Sequence, residues 1–148
     1  LGAGGAARAI VVAFIKEKVA KITIANRTKE NAIKLAQFAQ KLGIDAVAKS
    51  FQEIDASPQH KFIVNATSIG LKNEPSPLPK ECINKDTVVY DIVYMPMNTE
   101  LVVQAKKNNA TIIYGYEMLL GQAIRSFEIW HGIDAPYDTM KKALLGGF

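Results

Sequence analysis

Apolar residues in this chain keep two rhythms. Short unbroken runs at 22–25, 46–48, 62–65, 88–91 and 111–114 have the length of strands and the Ile, Val and aromatic content that suits them. Between them apolar positions return every three or four residues, as Ile10, Ala13 and Phe14, then Leu35, Phe38, Ala39 and Leu42. That spacing places them on one face of a helix. The pattern predicts a first helix from near Gly5 to Lys18 and others over 29–42, 99–107, 116–131 and 137–145, with one helical turn at 51–54. Gly43 stops the second helix as its C-terminal cap. Unbroken rather than alternating apolar runs belong to strands covered on both faces. Interleaved with amphipathic helices, they predict an α/β fold: a doubly wound parallel sheet. The proline-containing stretch 72–80 lies between strands of the same kind and reads as a loop inside one domain, 1–148.

The first eight residues, Leu1-Gly2-Ala3-Gly4-Gly5-Ala6-Ala7-Arg8, form a glycine-rich turn that opens the first helix. In a Rossmann-like dinucleotide turn the first glycine makes the bend, the second lets backbone approach a pyrophosphate, and a third small residue lets helix and strand pack closely. Gly2, Gly4 and Ala7 hold those places. Gly5 and Ala6 begin the helix, whose free N–H groups and positive dipole end face the anion. The strand that should precede the turn is absent from the 148 residues, so the sequence reads as a fragment whose first strand lies upstream. With it restored, the strand count is six.

A glycine turn reads phosphate only. Cofactor choice is made about 20 residues on, where an acid would take a ribose 2′-hydroxyl and a base a 2′-phosphate. Here the strand at 22–25 runs into Asn26-Arg27-Thr28 with no acid in the turn. Arg27 offers a planar fork, and Asn26 and Thr28 can add hydrogen bonds, so the predicted cofactor is NADP. A solvated surface arginine is the plain alternative.

Composition narrows the partners. A net charge of +4, from 18 basic and 14 acidic residues scattered along the chain, is too diffuse for nucleic acid and suits small anionic ligands. Cys82 is the single cysteine, which excludes an intrachain disulfide or a cysteine-rich metal site and points to a reducing, cytoplasmic compartment. The longest apolar run, Ala9 to Ile15, is far too short to cross a membrane.

The remaining polar residues gather where ligands of such sheets sit, beyond the carboxyl ends of the strands. Asn65-Ala66-Thr67-Ser68-Ile69-Gly70 follows one strand, Asp91-Ile92-Val93-Tyr94-Met95-Pro96 another, and Gly115 a third. Asn65 and Asp91 are equally explained as turn-holding residues. Gly115, Met118 and Gln122 share one helix face. Gly115 would leave room for a flat ring, Met118 would supply an adaptable wall, and Gln122, amid apolar neighbours, would need a polar partner from backbone or ligand.

Taken together, Gly-Ala-Gly-Gly-Ala-Ala-Arg, Asn-Arg-Thr, Asn-Ala-Thr-Ser-x-Gly, Asp-x-Val-Tyr-x-Pro and Gly-x-x-Met-Leu-x-x-Gln resemble the NADP-binding domain of the shikimate dehydrogenase family, as does Phe127-x-x-Trp130-x-Gly132 near the end. The resemblance spans nearly the whole chain with its motifs in family order. It implies reversible hydride transfer between NADPH and the ring carbonyl of 3-dehydroshikimate, a step toward chorismate and the aromatic amino acids. By that resemblance Asn26, Arg27 and Thr28 hold the 2′-phosphate and Gly4, Gly5 and Ala6 the pyrophosphate. Thr67, Ser68, Ile92, Gly115 and Met118 surround the nicotinamide end, and Tyr94 and Gln122 reach the substrate. Two positions depart from the family pattern. Asn31 stands where a second basic residue is common, with Lys29 as a substitute, and Glu100 replaces a proline at a helix start.

Reducing a ketone also needs a proton donor. The resemblance assigns that work to a Lys and an Asp in an N-terminal substrate domain upstream of Leu1, so this chain carries no catalytic residue and is expected to be inactive alone. His60, His131, Asp91 and Tyr94 are poor replacements. The expected partners are a small-molecule substrate and the missing domain of the same protein, with a homodimer open. Quinate or another polyhydroxy acid as substrate, a non-catalytic dinucleotide-sensing module, and a purely structural Rossmann-like domain stay as alternatives. A glutamyl-tRNA reductase domain would share the glycine turn and Asn-Arg pair but gives no reason for the Tyr94 and Gln122 motifs together.

Overall fold

The computed structural model describes residues 1–57 and 60–146. Five strands, β1 (Lys21–Asn26), β2 (Asp45–Ser50), β3 (Phe62–Asn65), β4 (Val88–Asp91) and β5 (Thr111–Tyr114), alternate with helices α1 (Gly5–Lys16), α2 (Lys29–Lys41), α3 (Glu100–Lys107) and α4 (Gly115–His131). A last helix, α5 (Tyr137–Leu145), follows. A single 3₁₀ turn covers Phe51–Glu53, as expected, and a second, Lys80–Cys82, lies after the proline loop where no apolar period announces it.

Every strand pairing is parallel. β1 lies beside β2 with Asn26 opposite Ser50, and β4 lies between β3 and β5, aligning Asn65, Asp91 and Tyr114 at one edge. The five strands thus form two sheets, β1-β2 and β3-β4-β5. Among the described residues, the start of the chain bridges them by backbone: Gly2 N–H donates to Ala25 O at 2.7 Å, Leu1 N to Val64 O at 2.6 Å, and Ala66 N–H to Leu1 O at 2.8 Å. Leu1 and Gly2 therefore stand where the end of a central strand would stand. Below them the edges of β1 and β3 face each other across a slot of about 630 Å³, lined by apolar residues such as Val11, Phe14, Ile22, Ile24, Ile63 and Val64.

Each sheet has its own core. Ile22 and Ile24 of β1 pack with Ala7 and Val11 of α1 and with Ala32, Leu35, Ala36 and Ala39 of α2, where small alanines let the helix lie close. Ile63 and Val89 pack with Leu101 and Ala105 of α3 and with Leu78, Cys82 and Ile83 from the loop between β3 and β4. Fully burying a side chain such as Val89 contributes roughly 1.5–3 kcal/mol. Cys82 donates its thiol to Asp55 O at 3.1 Å, and burial pushes that thiol's pKa up, so it is a packing residue rather than a nucleophile. Among the described residues no helix is long and apolar enough to cross a membrane.

Candidate functional site

The glycine turn has the predicted shape, and its first glycine is obligatory. Gly2 takes φ +101°, and a Cβ there would lie 2.8 Å from Ala66 O and 2.9 Å from Thr67 Cγ2. Gly4 and Gly5 are different: a Cβ on either meets nothing within 4 Å. They front open space at the start of α1. The first i to i−4 bond of that helix runs from Arg8 N to Gly4 O, so the N–H groups of Gly5, Ala6 and Ala7 precede it, and among the described residues no side chain caps them. No acidic residue stands in the first turn. An unopposed helix N-terminus facing an open glycine floor fits a pyrophosphate.

Beyond β3 and β4 the polar residues knit into one buried hub. Asp91 is 0% and Asn65 3% exposed. Asn65 Nδ2 donates to Asp91 Oδ1 at 2.9 Å and to Ile69 O at 3.0 Å, while its Oδ1 accepts from Thr67 N–H at 3.1 Å and Thr67 Oγ1 at 2.6 Å. Asp91 Oδ1 also accepts from Val93 N–H at 3.0 Å, and Oδ2 from Thr99 Oγ1 at 2.7 Å. Thr99 in turn caps α3 by accepting from Val102 N–H at 3.2 Å. The hub ties the loop after β3, the loop after β4 and the start of α3 into one unit. Burial raises the pKa of Asp91, and the bonds from Thr99, Val93 and Asn65 oppose that shift.

The ends of β1 and β2 are open by contrast. Arg27 and Thr28 are exposed, and Arg27 makes no side-chain hydrogen bond or ion pair among the described residues. Thr28 is the N-cap residue of α2, yet its hydroxyl makes no capping bond. Asn26 donates its amide to Thr28 O at 2.8 Å, so it shapes the turn instead of pointing that donor outward. Lys29, the expected substitute for the missing second base, is paired to Glu53 at 2.5 Å.

Gly115, Met118 and Gln122 all lie on α4. A Cβ on Gly115 would lie 2.5 Å from Ile92 O and 2.8 Å from Asp91 O. A side chain at this position would collide with the backbone that follows β4, so the glycine lets the start of α4 lie against that loop. Gln122 is exposed, its amide open to a partner. Met118 is half-buried, and Tyr94 is 43% exposed at the same edge.

Residues 1–108 match the family model described as shikimate / quinate 5-dehydrogenase, and residues 115–145 match that of the shikimate 5′-dehydrogenase C-terminal domain. The chain belongs to the shikimate/quinate dehydrogenase family. A shikimate dehydrogenase (NADP(+)) of Nitrosopumilus maritimus is 62% identical over the whole chain, which covers 55% of that relative. Among solved structures, ligand-free 5-ketofructose reductase of Gluconobacter sp. strain CHM43 superposes with a TM-score of 0.88 at 34% identity, over 99% of this chain and 55% of that one. Shikimate 5-dehydrogenase from Thermus thermophilus, in complex with NADP(H) and shikimate, gives 0.82 at 30% identity, over 99% and 53%. The chain therefore spans about half the length of the family members it matches.

Three residues of this family member's site escaped the sequence reading. Thr99 looked like an ordinary helix start, although a Thr directly before an acidic first turn is an N-cap signal that could have flagged it. Glu74 holds the loop after β3 by accepting from Gly70 N–H at 3.0 Å and Lys72 N–H at 2.8 Å. Glu53 reaches Lys29 from 24 residues away, and no local pattern foretells that contact.

Proposed function

We propose that this chain is the NADP-binding half of a shikimate dehydrogenase, catalysing reversible NADP-dependent hydride transfer between 3-dehydroshikimate and shikimate. The observation that carries the reading is the pairing of an open helix N-terminus at Gly4-Gly5-Ala6 with an exposed Arg27, unpartnered among the described residues, at the neighbouring strand end. That pair presents two separated anion sites, as a dinucleotide with a 2′-phosphate requires. The name of the 62% identical relative, which specifies NADP(+), supports the same cofactor.

NADPH, when bound, supplies the hydride. The chain's own residues bind and orient it. Gly2 shapes the turn, the N–H groups at Gly4, Gly5 and Ala6 take the pyrophosphate, and Arg27 with Thr28 takes the 2′-phosphate while Asn26 holds their turn. The hub sets Thr67, Ser68 and Ile92 at the nicotinamide end beside Gly115 and Met118. Tyr94 and Gln122, both exposed at that edge, extend toward the substrate. Asp91 is enclosed by its three donors and does not serve as the proton donor. The Lys and Asp that do so belong to a substrate domain preceding Leu1, consistent with a chain half the length of its relatives. A strand leading into Leu1 fills the slot between β1 and β3.

The test is NADP-dependent oxidation of shikimate by the full-length protein, followed as NADPH absorbance, with quinate, 5-ketofructose and NAD run in parallel. Turnover with shikimate and NADP is expected. NADPH binding without turnover of any substrate would replace the enzyme by a dinucleotide-sensing module.

A further inference from the structure

The next basic residue along the chain from Arg27 is already paired. Lys29 is the first residue of α2, and its Nζ lies 2.5 Å from Glu53 Oε1, with both side chains a little under half exposed. Glu53 is itself fixed. Its Oε2 accepts from Ser50 N–H at 2.7 Å, and Ser50 stands opposite Asn26 in the β1-β2 register. The acid is thus anchored by backbone beside the turn that carries Arg27 and Thr28. Lys29 and Ser50 together hold the Glu53 carboxyl at a pKa of about 2, so it carries its charge throughout the neutral range.

We propose that Glu53 sets the strength of cofactor discrimination by competing with the 2′-phosphate for Lys29. This rests on the reading of the Arg27 turn as the 2′-phosphate subsite. A lysine paired with a carboxylate is close to neutral as seen by an incoming phosphate, so Lys29 adds little attraction and discrimination falls mainly to Arg27. A carboxylate held by a backbone N–H does not swing aside at no cost, and the phosphate must share the ammonium with it. Removing the negative charge while keeping the backbone acceptor frees Lys29 for the phosphate. Glu53→Gln makes that change: its side-chain carbonyl can still accept from Ser50 N–H.

The measurement is calorimetric affinity of the full-length protein for NADP⁺ and NAD⁺, with no substrate present. Glu53→Gln is expected to tighten NADP⁺ about threefold to tenfold, the scale of one partly exposed charge contact, and to leave NAD⁺ within about twofold. Lys29→Gln should cost more NADP⁺ affinity in the Glu53→Gln background than in the wild type, which is the signature of coupling between the two side chains. Unchanged NADP⁺ affinity in Glu53→Gln, or an equal gain for NAD⁺, overturns the proposal. Arg27→Ala separates the two levels of argument. If that variant binds NADP⁺ as tightly as the wild type, the subsite reading itself fails, whatever Glu53→Gln does.

Discussion

The two ends of the candidate site are built on opposite plans. Where β3 and β4 finish, Asn65, Asp91, Thr67 and Thr99 bond one another and the backbone, with Asn65, Asp91 and Thr99 out of contact with water. Where β1 and β2 finish, Arg27 stands in solvent without a partner among the described residues, and Lys29 is held by an exposed acid. The first end displays shape through backbone that side chains have fixed; the second displays charge through side chains that backbone has fixed. The difference teaches that polar residues at strand ends cannot be read as ligand contacts from their position alone, because a saturated group and an open one look identical in sequence.

Mutations can break that contrast. Asp91→Ala strips the acceptor from Asn65, Val93 and Thr99 inside the core, and the expected loss is about 3–5 kcal/mol of stability in a denaturant melt of the full-length protein. Arg27→Ala should do the reverse, lowering NADP⁺ affinity about 10- to 100-fold in titration calorimetry while leaving the melt within about 0.5 kcal/mol. If Arg27→Ala destabilised the fold, or Asp91→Ala were stable and merely bound cofactor weakly, the contrast would collapse. Gly115→Ala forces a methyl against Ile92 O and is expected to cost about 1–3 kcal/mol, placing Gly115 with the packed end rather than the open one.

Acidity sharpens the comparison with the smallest effects. Glu53 drops from 4.5 to about 2 in the fold, so it contributes stability above 4.5 that is lost as pH falls through about 2. Asp91 is shifted the other way, chiefly by burial, so the folded state holds its proton more tightly and stability declines as pH rises from the ordinary aspartate range through the raised value. On acidification the advantage of wild type over Glu53→Gln should shrink, while its standing relative to Asp91→Asn should improve. Parallel slopes in the two stability profiles would contradict the assigned environments.

Most of the architecture was legible because it is encoded locally. The runs at 62–65, 88–91 and 111–114 became β3, β4 and β5 with those bounds, and α5 covers the predicted 137–145. A short run rich in β-branched and aromatic residues marks a strand within four consecutive positions. Gly2 was legible for a similar reason, since a positive φ leaves little choice of residue. The packing reason for Gly115 was not legible, because the atom that excludes a side chain there, Ile92 O, arrives from another strand's loop. The exposure of Gln122 was not legible, because helical spacing shows which residues share a face but not whether anything covers that face. Glu53 and Lys29 meet only after β1 and β2 pair in register, so their contact has no signature shorter than the fold itself.

The slot beside Leu1 is bounded by the facing edges of β1 and β3. At its mouth the spacing fits one extended backbone, since Leu1 reaches β3 and Gly2 reaches β1 at ordinary hydrogen-bond lengths. A strand laid between two edges at that separation would bond to both neighbours while running parallel to them, as Leu1 and Gly2 do at its end.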